Sequence, residues 1–309
     1  MKRIHLLCLT SFALLSCASS QSSQIESHSH EFEKLVILQE ANRHTYLEGS
    51  SFDPEGLEVG ARCKGCKEVI KTDFRIKDGE LLPLEQESVT IEAKGLTLDY
   101  PIKVKESFHI ACVGDSLTKG HMWQNQSYPT YLSSIVEEGY EVGNFGENGI
   151  SITGYGGSWN NPDMAYIKQH FYTDSLAFEP DIIAIMLGTN DATGWANAES
   201  SFVDEYHALL DSYLEELPDV RFIMMVSPPT KDGNQFGIPN QTIRDEINPV
   251  QRDLAEEYGF EVLDLREEFE TTEDYEAKYL RPNDGVHFTV EAAQYVAGRV
   301  WDIAKNIAF

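Results

Sequence analysis

The feature that most constrains the fold is an apolar run at residues 181–187, Asp-Ile-Ile-Ala-Ile-Met-Leu, unbroken after its first residue. A strand with one face in solvent alternates apolar and polar residues, whereas a strand of a parallel sheet is buried on both faces and is apolar throughout. Parallel strands also need crossover connections, which are usually helices. The run therefore predicts an α/β fold with helices on both faces of a parallel sheet.

From Phe108 to the C-terminus, predicted strands alternate with predicted helices. This order is typical of a three-layer α/β/α domain, which we place at 107–309. In such sheets ligands bind beyond the carboxyl ends of the strands, so chemistry is expected in the loops that follow strands. Besides the run above, strands are expected at 108–113, 142–145, 221–226 and 260–265, and helices at 128–138, 201–217, 242–258 and 289–307.

Residues 33–106 have a different pattern, in which short β-rich runs are separated by turn residues and helical periodicity is absent. This spacing predicts a small N-terminal β-sandwich, and 309 residues are enough for two domains. The stretches at 46–59 and 89–95 resemble bacterial immunoglobulin-like modules of cell-surface proteins. The resemblance implies a spacer or adhesive element without catalytic residues.

The N-terminus has the features of a secretory signal, with two basic residues followed by an apolar run at 4–15. That run is too short to span a bilayer. It leads into Leu-Leu-Ser-Cys17, which resembles a bacterial lipobox in which the cysteine is lipidated; a plain cleaved signal is the alternative. We therefore expect a lipoprotein signal peptide at 1–17, export, lipid anchoring at the bacterial cell envelope through Cys17, and a flexible linker at 18–32.

Three cysteines follow the predicted signal peptide. Cys63 and Cys66 have the spacing of half a zinc site, but no second Cys or His pair follows at a suitable distance, so no metal site is predicted. In an oxidising compartment the pair could form a disulfide, which the spacing leaves open. Cys112 lies in an apolar strand and is expected to be a buried packing residue.

The charge balance is strongly acidic, with 24 Lys and Arg against 51 Asp and Glu and a net charge of −27. Such a surface repels phosphate backbones and anionic membrane faces. We therefore expect no nucleic-acid partner, and membrane contact only through a lipid anchor at Cys17. The apolar fraction of 41% is sufficient for a packed core.

A candidate nucleophile, Ser116, lies in the sequence Gly-Asp-Ser-Leu at 114–117, directly after the strand at 108–113. A serine at a strand-to-helix turn presents its hydroxyl at the carboxyl edge of the sheet, and the small Gly114 permits a tight turn there. Thr118 stands where the G-x-S-x-G nucleophile elbow has its second glycine, which argues against the α/β-hydrolase fold.

Two further loops carry glycine and asparagine after predicted strands, with Asn-Phe-Gly-Glu-Asn-Gly-Ile-Ser at 144–151 and Gly-Thr-Asn-Asp at 188–191. Acyl transfer passes through an anionic tetrahedral intermediate, which needs hydrogen-bond donors that are fixed in advance. The side-chain amide of Asn190 and a backbone N–H at Gly149, or at Gly146 in the same turn, could supply them.

A candidate acid and base, Asp284 and His287, lie in the loop before the last helix. The imidazole must accept the serine proton and pass it to the leaving alkoxide, while a carboxylate holds its tautomer and stabilises the imidazolium. Of nine histidines, His287 alone combines this spacing with a loop of the α/β domain.

Together these four segments resemble, in order and spacing, the blocks that define the SGNH (GDSL-type) hydrolase family. The resemblance extends from Phe108 to the C-terminus and implies a flavodoxin-like α/β/α fold and a serine esterase that uses no metal or other cofactor. Carried over to this chain, the family pattern implies Ser116 as nucleophile, Asp284 and His287 as acid and base, and Ser116, Gly149 and Asn190 as oxyanion donors.

Three further short motifs, at Trp195, 227–229 and 247–249, are similar to motifs of the branch that includes carbohydrate O-acetylesterases. Phe288 and Thr289 stand where that branch commonly has Pro-Asn. The expected function is hydrolysis of short acyl esters, chiefly acetyl, on a small molecule or glycan. A lysophospholipase or general lipid esterase is the alternative enzyme. A surface adhesin without catalysis is the alternative outside enzymes, and the presence of all the chemical positions argues against it.

Overall fold

The computed structural model describes residues 31–65, 68–120, 124–157 and 159–307. The predicted signal peptide with Cys17, all but the last two residues of the predicted linker, and Cys66 lie outside these ranges. The lipid anchor and the disulfide between Cys63 and Cys66 therefore stay predictions.

The N-terminal region consists of strands that form three small sheets. β1, β3 and β4 form one antiparallel sheet and β5, β6 and β7 form another, while β2 and β8 pair in parallel. The strands are β1 (Phe32–Gln39), β2 (Thr45–Leu47), β3 (Glu58–Cys63), β4 (Val69–Lys71), β5 (Arg75–Ile76), β6 (Ser88–Ala93), β7 (Leu96–Pro101) and β8 (Lys103–Lys105).

The two antiparallel sheets share one apolar core. Alternate residues of β6, such as Val89 and Ile91, are fully buried and belong to the same cluster as Leu35 of β1 and Val59 of β3. This period of two is typical of strands with one buried face. The arrangement is compatible with the predicted sandwich, whose immunoglobulin-like character stays a prediction.

The C-terminal region contains a five-stranded parallel sheet in the order β10-β9-β11-β12-β13. The prediction of an α/β fold with a parallel sheet is confirmed. The strand order is the flavodoxin-like one. The order in which strands are added to the sheet reverses between β9 and β11, and this reversal leaves a crevice at their carboxyl ends. The strands are β9 (Phe108–Gly114), β10 (Tyr140–Gly146), β11 (Ile182–Met186), β12 (Arg221–Val226) and β13 (Glu261–Asp264).

Helices cover both faces of this sheet, and successive strand residues belong to opposite cores. Ile183 and Ile185 pack with helices α3, α5 and α7, while Ile182 and Ala184 pack with α2, α8 and α10. The α-helices are α1 (Ser116–Lys119), α2 (Tyr128–Ile135), α3 (His170–Ala177), α4 (Trp195–Ala198), α5 (Phe202–Glu216), α6 (Asn240–Thr242), α7 (Asn248–Tyr258), α8 (Leu265–Glu270), α9 (Tyr275–Tyr279) and α10 (Val290–Ala304).

Three predicted elements have the wrong extent. The helix at 128–138 ends at Ile135, because the chain turns through Gly139 (φ +86°) to begin β10. The helix at 242–258 is interrupted by a π-helical turn, Ile243–Ile247, just before Pro249, which has no N–H for a regular bond. The helix at 289–307 ends at Ala304, and residues 305 and 306 form a turn.

The N-terminal strands contact the amino edge of the parallel sheet. Lys105 at the end of β8 forms an ion pair with Asp181, its Nζ lying 2.6 and 2.7 Å from the two carboxylate oxygens. Asp181 precedes β11, and it also accepts a hydrogen bond from the backbone N–H of His109 at 2.9 Å. Ser116 follows the carboxyl end of β9, so this contact lies at the edge of the sheet opposite the predicted nucleophile.

Within the four described ranges, none of the helices is both long enough and apolar enough to cross a bilayer.

Candidate active site

The predicted nucleophile sits in a tight turn between β9 and α1. Ser116 is the first residue of α1, and the side chain of Asp115 caps the helix by accepting a hydrogen bond from the N–H of Leu117 at 2.8 Å. A side chain at Gly114 would collide with Thr118 and would lie 2.8 Å from the carbonyl oxygen of Met186. Glycine is therefore required at 114 by close packing between the strand and the turn.

Ser116, His287 and Asp284 form a hydrogen-bonded chain. His287 Nε2 lies 2.9 Å from Ser116 Oγ, and His287 Nδ1 lies 3.1 Å from Asp284 Oδ2. Asp284 Oδ1 accepts backbone N–H groups of Val286 and His287, both at 2.9 Å. These bonds hold the carboxylate with one oxygen toward the backbone and the other toward the imidazole. The arrangement can transfer a proton from the serine to the imidazole.

Opposing effects act on the pKa of Asp284. Burial raises this pKa, but hydrogen bonds from the His287 side chain and from the N–H groups of Val286 and His287 lower it by more, so that it lies below its ordinary value. Asp284 is therefore ionised at neutral pH. An anionic partner stabilises the imidazolium that forms when His287 takes a proton.

A second loop braces the loop that carries Asp284. Lys231 and Gln235 donate backbone hydrogen bonds to the carbonyl oxygens of Gly285 and Asp284, at 2.8 and 2.9 Å. Asn234 folds this second loop: its Oδ1 accepts two backbone N–H groups within the loop and its Nδ2 donates to two carbonyls. Asn234 was not predicted, because nothing in the local sequence indicates that its partners lie beside Asp284.

The predicted oxyanion residues lie on the two loops next to Ser116. Asn190 Nδ2 donates to the carbonyl of Ile150 at 2.8 Å and lies 3.4 Å from Asp115 Oδ2, which fixes the amide beside the nucleophile turn. Gly149 has a φ of +70° and lines the same cavity as Ser116. Gly146 instead ends β10, and a side chain there would lie 2.9 Å from the carbonyl oxygen of Asp115. The geometry thus favours Gly149 over Gly146.

Asp191, the last residue of the Gly-Thr-Asn-Asp motif, connects the loop that carries Asn190 to the loop that carries Gly149 by hydrogen bonds. Its carboxylate accepts the N–H of Ile152 at 3.0 Å, and the N–H and hydroxyl of Thr153 at 3.0 and 2.7 Å. The sequence prediction assigned Asp191 no role. Its position in the motif was the available signal, but its partner Thr153 lies 38 residues away in the chain.

Burial raises the pKa of Asp191 to about 6, although hydrogen bonds from Thr153 and Ile152 oppose the rise. Burial also raises the pKa of Asp115 to about 7; the hydrogen bond from Leu117 lowers it, and the nearby charge of Asp191 raises it further. Burial therefore disfavours the charged forms of Asp115, which is next to Ser116 in the chain, and of Asp191, which is next to Asn190.

We expect these two aspartates to make folding less favourable as pH rises. In an unfolded chain both titrate near pH 4, so between about pH 4 and 7 the folded state binds more protons than the unfolded state. Their contribution to the free energy of unfolding is greatest below about pH 4 and is lost as pH rises through about 7. In urea unfolding, the free energy of unfolding of the wild type should fall between about pH 5.5 and 8. In Asp115→Asn this fall should be smaller by on the order of 1–3 kcal/mol. The exposed Asp253→Asn is the control, and equal pH slopes for wild type and Asp115→Asn would contradict the assignment.

Ser116, His287, Gly149 and Asn190 all line one cavity of about 390 Å³. Phe236 packs against His287, with its ring perpendicular to the imidazole at a centroid distance of 5.2 Å. The remaining walls are apolar at Trp159, Ile238 and Val286, and polar at Glu147, Asn148, Gly157, Thr189 and Thr193.

This geometry belongs to a segment that matches a known family. The family described as GDSL-like Lipase/Acylhydrolase matches residues 112–295, which is more than half of the chain. The chain belongs to this family.

Two curated relatives of this GDSL-family protein are acetylxylan esterases. The one from Xylanibacter ruminicola is 28% identical over 186 residues, covering 53% of this chain and 37% of the relative. The one from Geobacillus stearothermophilus is 28% identical over 150 residues, covering 46% of this chain and 64% of the relative. The chain therefore spans less than two thirds of the length of either relative.

Solved structures support the fold of this family. The lipase/acylhydrolase from Enterococcus faecalis superposes with a TM-score of 0.52 at 18% identity, covering 64% of this chain and 95% of that structure. At this identity the likeness extends to the fold alone. The N-terminal strands lie outside the matched family segment.

The two cysteines that the structure describes are buried. Cys112 of β9 is fully buried, as predicted, and burial raises the pKa of its thiol to about 12. A thiol with so high a pKa is not a nucleophile at neutral pH. Cys63 of β3 is buried as well.

Asn190→Ala is expected to lower kcat by roughly 10²–10³-fold with little change in KM, because one oxyanion donor acts mainly in the transition state. Steady-state kinetics on p-nitrophenyl acetate would measure this. The exposed Asn306→Ala serves as control, and thermal unfolding of both variants shows whether loss of the Ile150 contact disturbs the fold. A change in KM alone would assign Asn190 to substrate binding instead.

Proposed function

We propose that this GDSL-family protein is an esterase that hydrolyses short acyl esters, above all acetyl esters of carbohydrate, with Ser116, His287 and Asp284 as its catalytic triad. The observation that carries the mechanism is the unbroken contact from Ser116 Oγ through His287 to Asp284, beside a cavity lined by Gly149 and Asn190. The two acetylxylan esterase relatives support the choice of acetyl groups and of a glycan.

Acylation begins when Ser116 Oγ attacks the ester carbonyl carbon and its proton passes to His287 Nε2. The carbonyl oxygen becomes an oxyanion, for which the N–H of Ser116, the N–H of Gly149 and the amide of Asn190 are the proposed donors. As the first residue of a helix, Ser116 has an N–H without a partner inside that helix. The C–O bond to the leaving group then breaks, and His287 gives its proton to the alkoxide.

Deacylation repeats the steps with water as nucleophile. His287 takes a proton from water as the water oxygen attacks the acyl carbon, and the bond to Ser116 Oγ breaks when His287 returns that proton to the serine. The products are the free alcohol and a carboxylic acid. Asp284 remains ionised throughout and holds the Nδ1 proton of the imidazole toward itself.

The shape of the site favours a small acyl group. The cavity of about 390 Å³ is near the lower end of the range for small-molecule sites, and Glu147, Asn148, Thr189 and Thr193 interrupt its apolar walls. A long acyl chain would need a continuous apolar channel to remove it from water. The acidic net charge of −27 also disfavours approach of anionic lipids and pectin-like polyanions.

Chain-length kinetics test this proposal. We expect kcat/KM to fall from p-nitrophenyl acetate to the octanoate and further to the palmitate. Acetate release should be faster from acetylated xylan than from acetylated pectin. A preference for palmitate would replace the proposal with a lipid esterase, and an absence of turnover on every ester would favour the non-catalytic adhesin.

We also propose that residues 1–17 direct export and that Cys17 carries a lipid anchor. The support is the lipobox-like sequence alone. Cys17→Ser should move the protein from the membrane fraction to the soluble fraction of the producing cell and leave ester hydrolysis intact. A wild-type protein found entirely in the soluble fraction would contradict the anchor.

The N-terminal strands are proposed to be an immunoglobulin-like spacer. Their ion pair from Lys105 to Asp181 lies at the amino edge of the parallel sheet, opposite Ser116. A spacer attached at that edge leaves the cavity open to a large substrate. Lys105→Ala should lower the thermal midpoint of unfolding and leave kcat unchanged. A lowered kcat in the folded variant would contradict a purely structural attachment.

A further inference from the structure

Two large aromatic side chains stand half-exposed at the mouth of the catalytic cavity. Trp159 is 49% exposed and Phe236 is 44% exposed, and both line the cavity that contains Ser116. Large apolar surface at the mouth of a site is normally covered when a ligand binds. The two rings therefore mark where the substrate is held.

The two aromatic residues have different surroundings. Phe236 belongs to the loop that braces Asp284, and its ring packs perpendicular to the imidazole of His287. Trp159 lies on another loop, two residues after Gly157, which contacts both oxyanion loops. Phe236 thus forms a wall for the catalytic base, whereas Trp159 is available to the part of the substrate beyond the acyl group.

Close backbone packing fixes Gly156 and Gly157 against the loop that carries Asn190. The N–H of Gly157 donates to the carbonyl of Asn190 at 3.1 Å and to Thr193 Oγ1 at 2.7 Å. A side chain at Gly156 would lie 2.5 Å from the N–H nitrogen of Asp191, so only glycine permits this approach. Gly156 and Gly157 therefore rest on the oxyanion region before substrate arrives.

The chemistry around Trp159 suits a sugar ring. A pyranose presents C–H groups on its faces and hydroxyl groups at its edge, so it can stack on an indole while its hydroxyls bond to polar side chains. Glu147, Asn148 and Thr193 supply polar groups in the same cavity.

We propose that Trp159 is the specificity-determining residue that binds the sugar carrying the acetyl group. This inference rests on the proposed function, since it names the surface that would select a glycan ester over a simple ester. It does not involve the triad, so a change at Trp159 should alter substrate choice more than chemistry.

The test compares kcat/KM for acetylated xylo-oligosaccharide with kcat/KM for ethyl acetate, which has no ring to stack. Trp159→Ala is expected to lower the ratio of the two at least tenfold, mainly by raising KM for the oligosaccharide. Trp159→Phe keeps an aromatic face and should retain the ratio within about threefold. Leu81→Ala removes an exposed apolar side chain (71% exposed) from the loop between β5 and β6 and is the matched control.

The outcomes separate this inference from the proposed function. If wild type prefers the oligosaccharide and Trp159→Ala preserves that preference while folded by circular dichroism, Trp159 does not bind the sugar and the proposed function stands. If wild type itself shows no preference for the oligosaccharide, the carbohydrate function and the role of Trp159 are both overturned.

Discussion

Ser116→Ala is expected to lower kcat for ester hydrolysis by on the order of 10⁴-fold or more while the protein stays folded. The variant loses the atom that would form the acyl-enzyme, and neither His287 nor Asp284 can replace it. Ser116 is mostly buried, but its Oγ faces a cavity, so loss of the hydroxyl should change the free energy of unfolding by only about 1 kcal/mol.

The measurement is steady-state turnover of p-nitrophenyl acetate together with urea unfolding. The matched control is Ser134→Ala on the exposed face of α2, which removes a hydroxyl bonded to the carbonyl of Tyr131. A folded Ser116→Ala variant with turnover near that of wild type would show that the serine is not the nucleophile.

Asp284→Asn should be the next most damaging change, with kcat reduced by roughly 10³–10⁴-fold. The N–H groups of Val286 and His287 both donate to Asp284 Oδ1, so an asparagine would turn its carbonyl oxygen toward them. Its NH₂ group would then face His287 Nδ1 and force that nitrogen to accept. The proton would lie on Nε2, which could no longer take the proton of Ser116.

The size and overall structure of the side chain are preserved in Asp284→Asn, so KM should change little. Asp232→Asn, in the exposed part of the neighbouring loop, is the control for a lost aspartate charge. If Asp284→Asn retained more than about a tenth of wild-type kcat, the carboxylate would not be holding the imidazole tautomer.

The parallel sheet and the position of the site could be predicted from the sequence because both follow from local patterns. The apolar run at 181–187 indicates a strand buried on both faces, and parallel strands bring their carboxyl ends to one edge. A strand of the parallel sheet precedes each of Ser116, Asn190 and Gly149. Motifs that are widely spaced in the sequence therefore meet in one cavity.

The supporting contacts could not be predicted in the same way. Asp191 holds Ile152 and Thr153, and Asn234 shapes the loop that reaches Gly285. These are hydrogen bonds within and between loops of irregular conformation, which leave no periodic pattern in the sequence. Trp159 was missed for the same reason, since its place at the cavity depends on close glycine contacts rather than on strand or helix spacing.

The interruption of the helix predicted at 242–258 also has a physical cause. Asn248 and Gln251 both bond to Ser227 at the end of β12, with Asn248 Nδ2 3.0 Å from the carbonyl oxygen and Gln251 Oε1 2.9 Å from the N–H nitrogen. A π-helical turn before Pro249 changes the direction, around the helix axis, in which the side chains of the following residues point. Periodicity alone cannot register such a turn, because it inserts an extra residue into an otherwise helical pattern.

The most direct measurement of the central claim is the site of covalent labelling by a fluorophosphonate, which phosphonylates an activated serine and releases fluoride. We predict a single adduct on the peptide that contains Ser116, formed in proportion to the loss of esterase activity, and strongly slowed labelling in His287→Ala. Loss of activity with the adduct on another residue, or full activity in protein labelled at Ser116, would contradict the account.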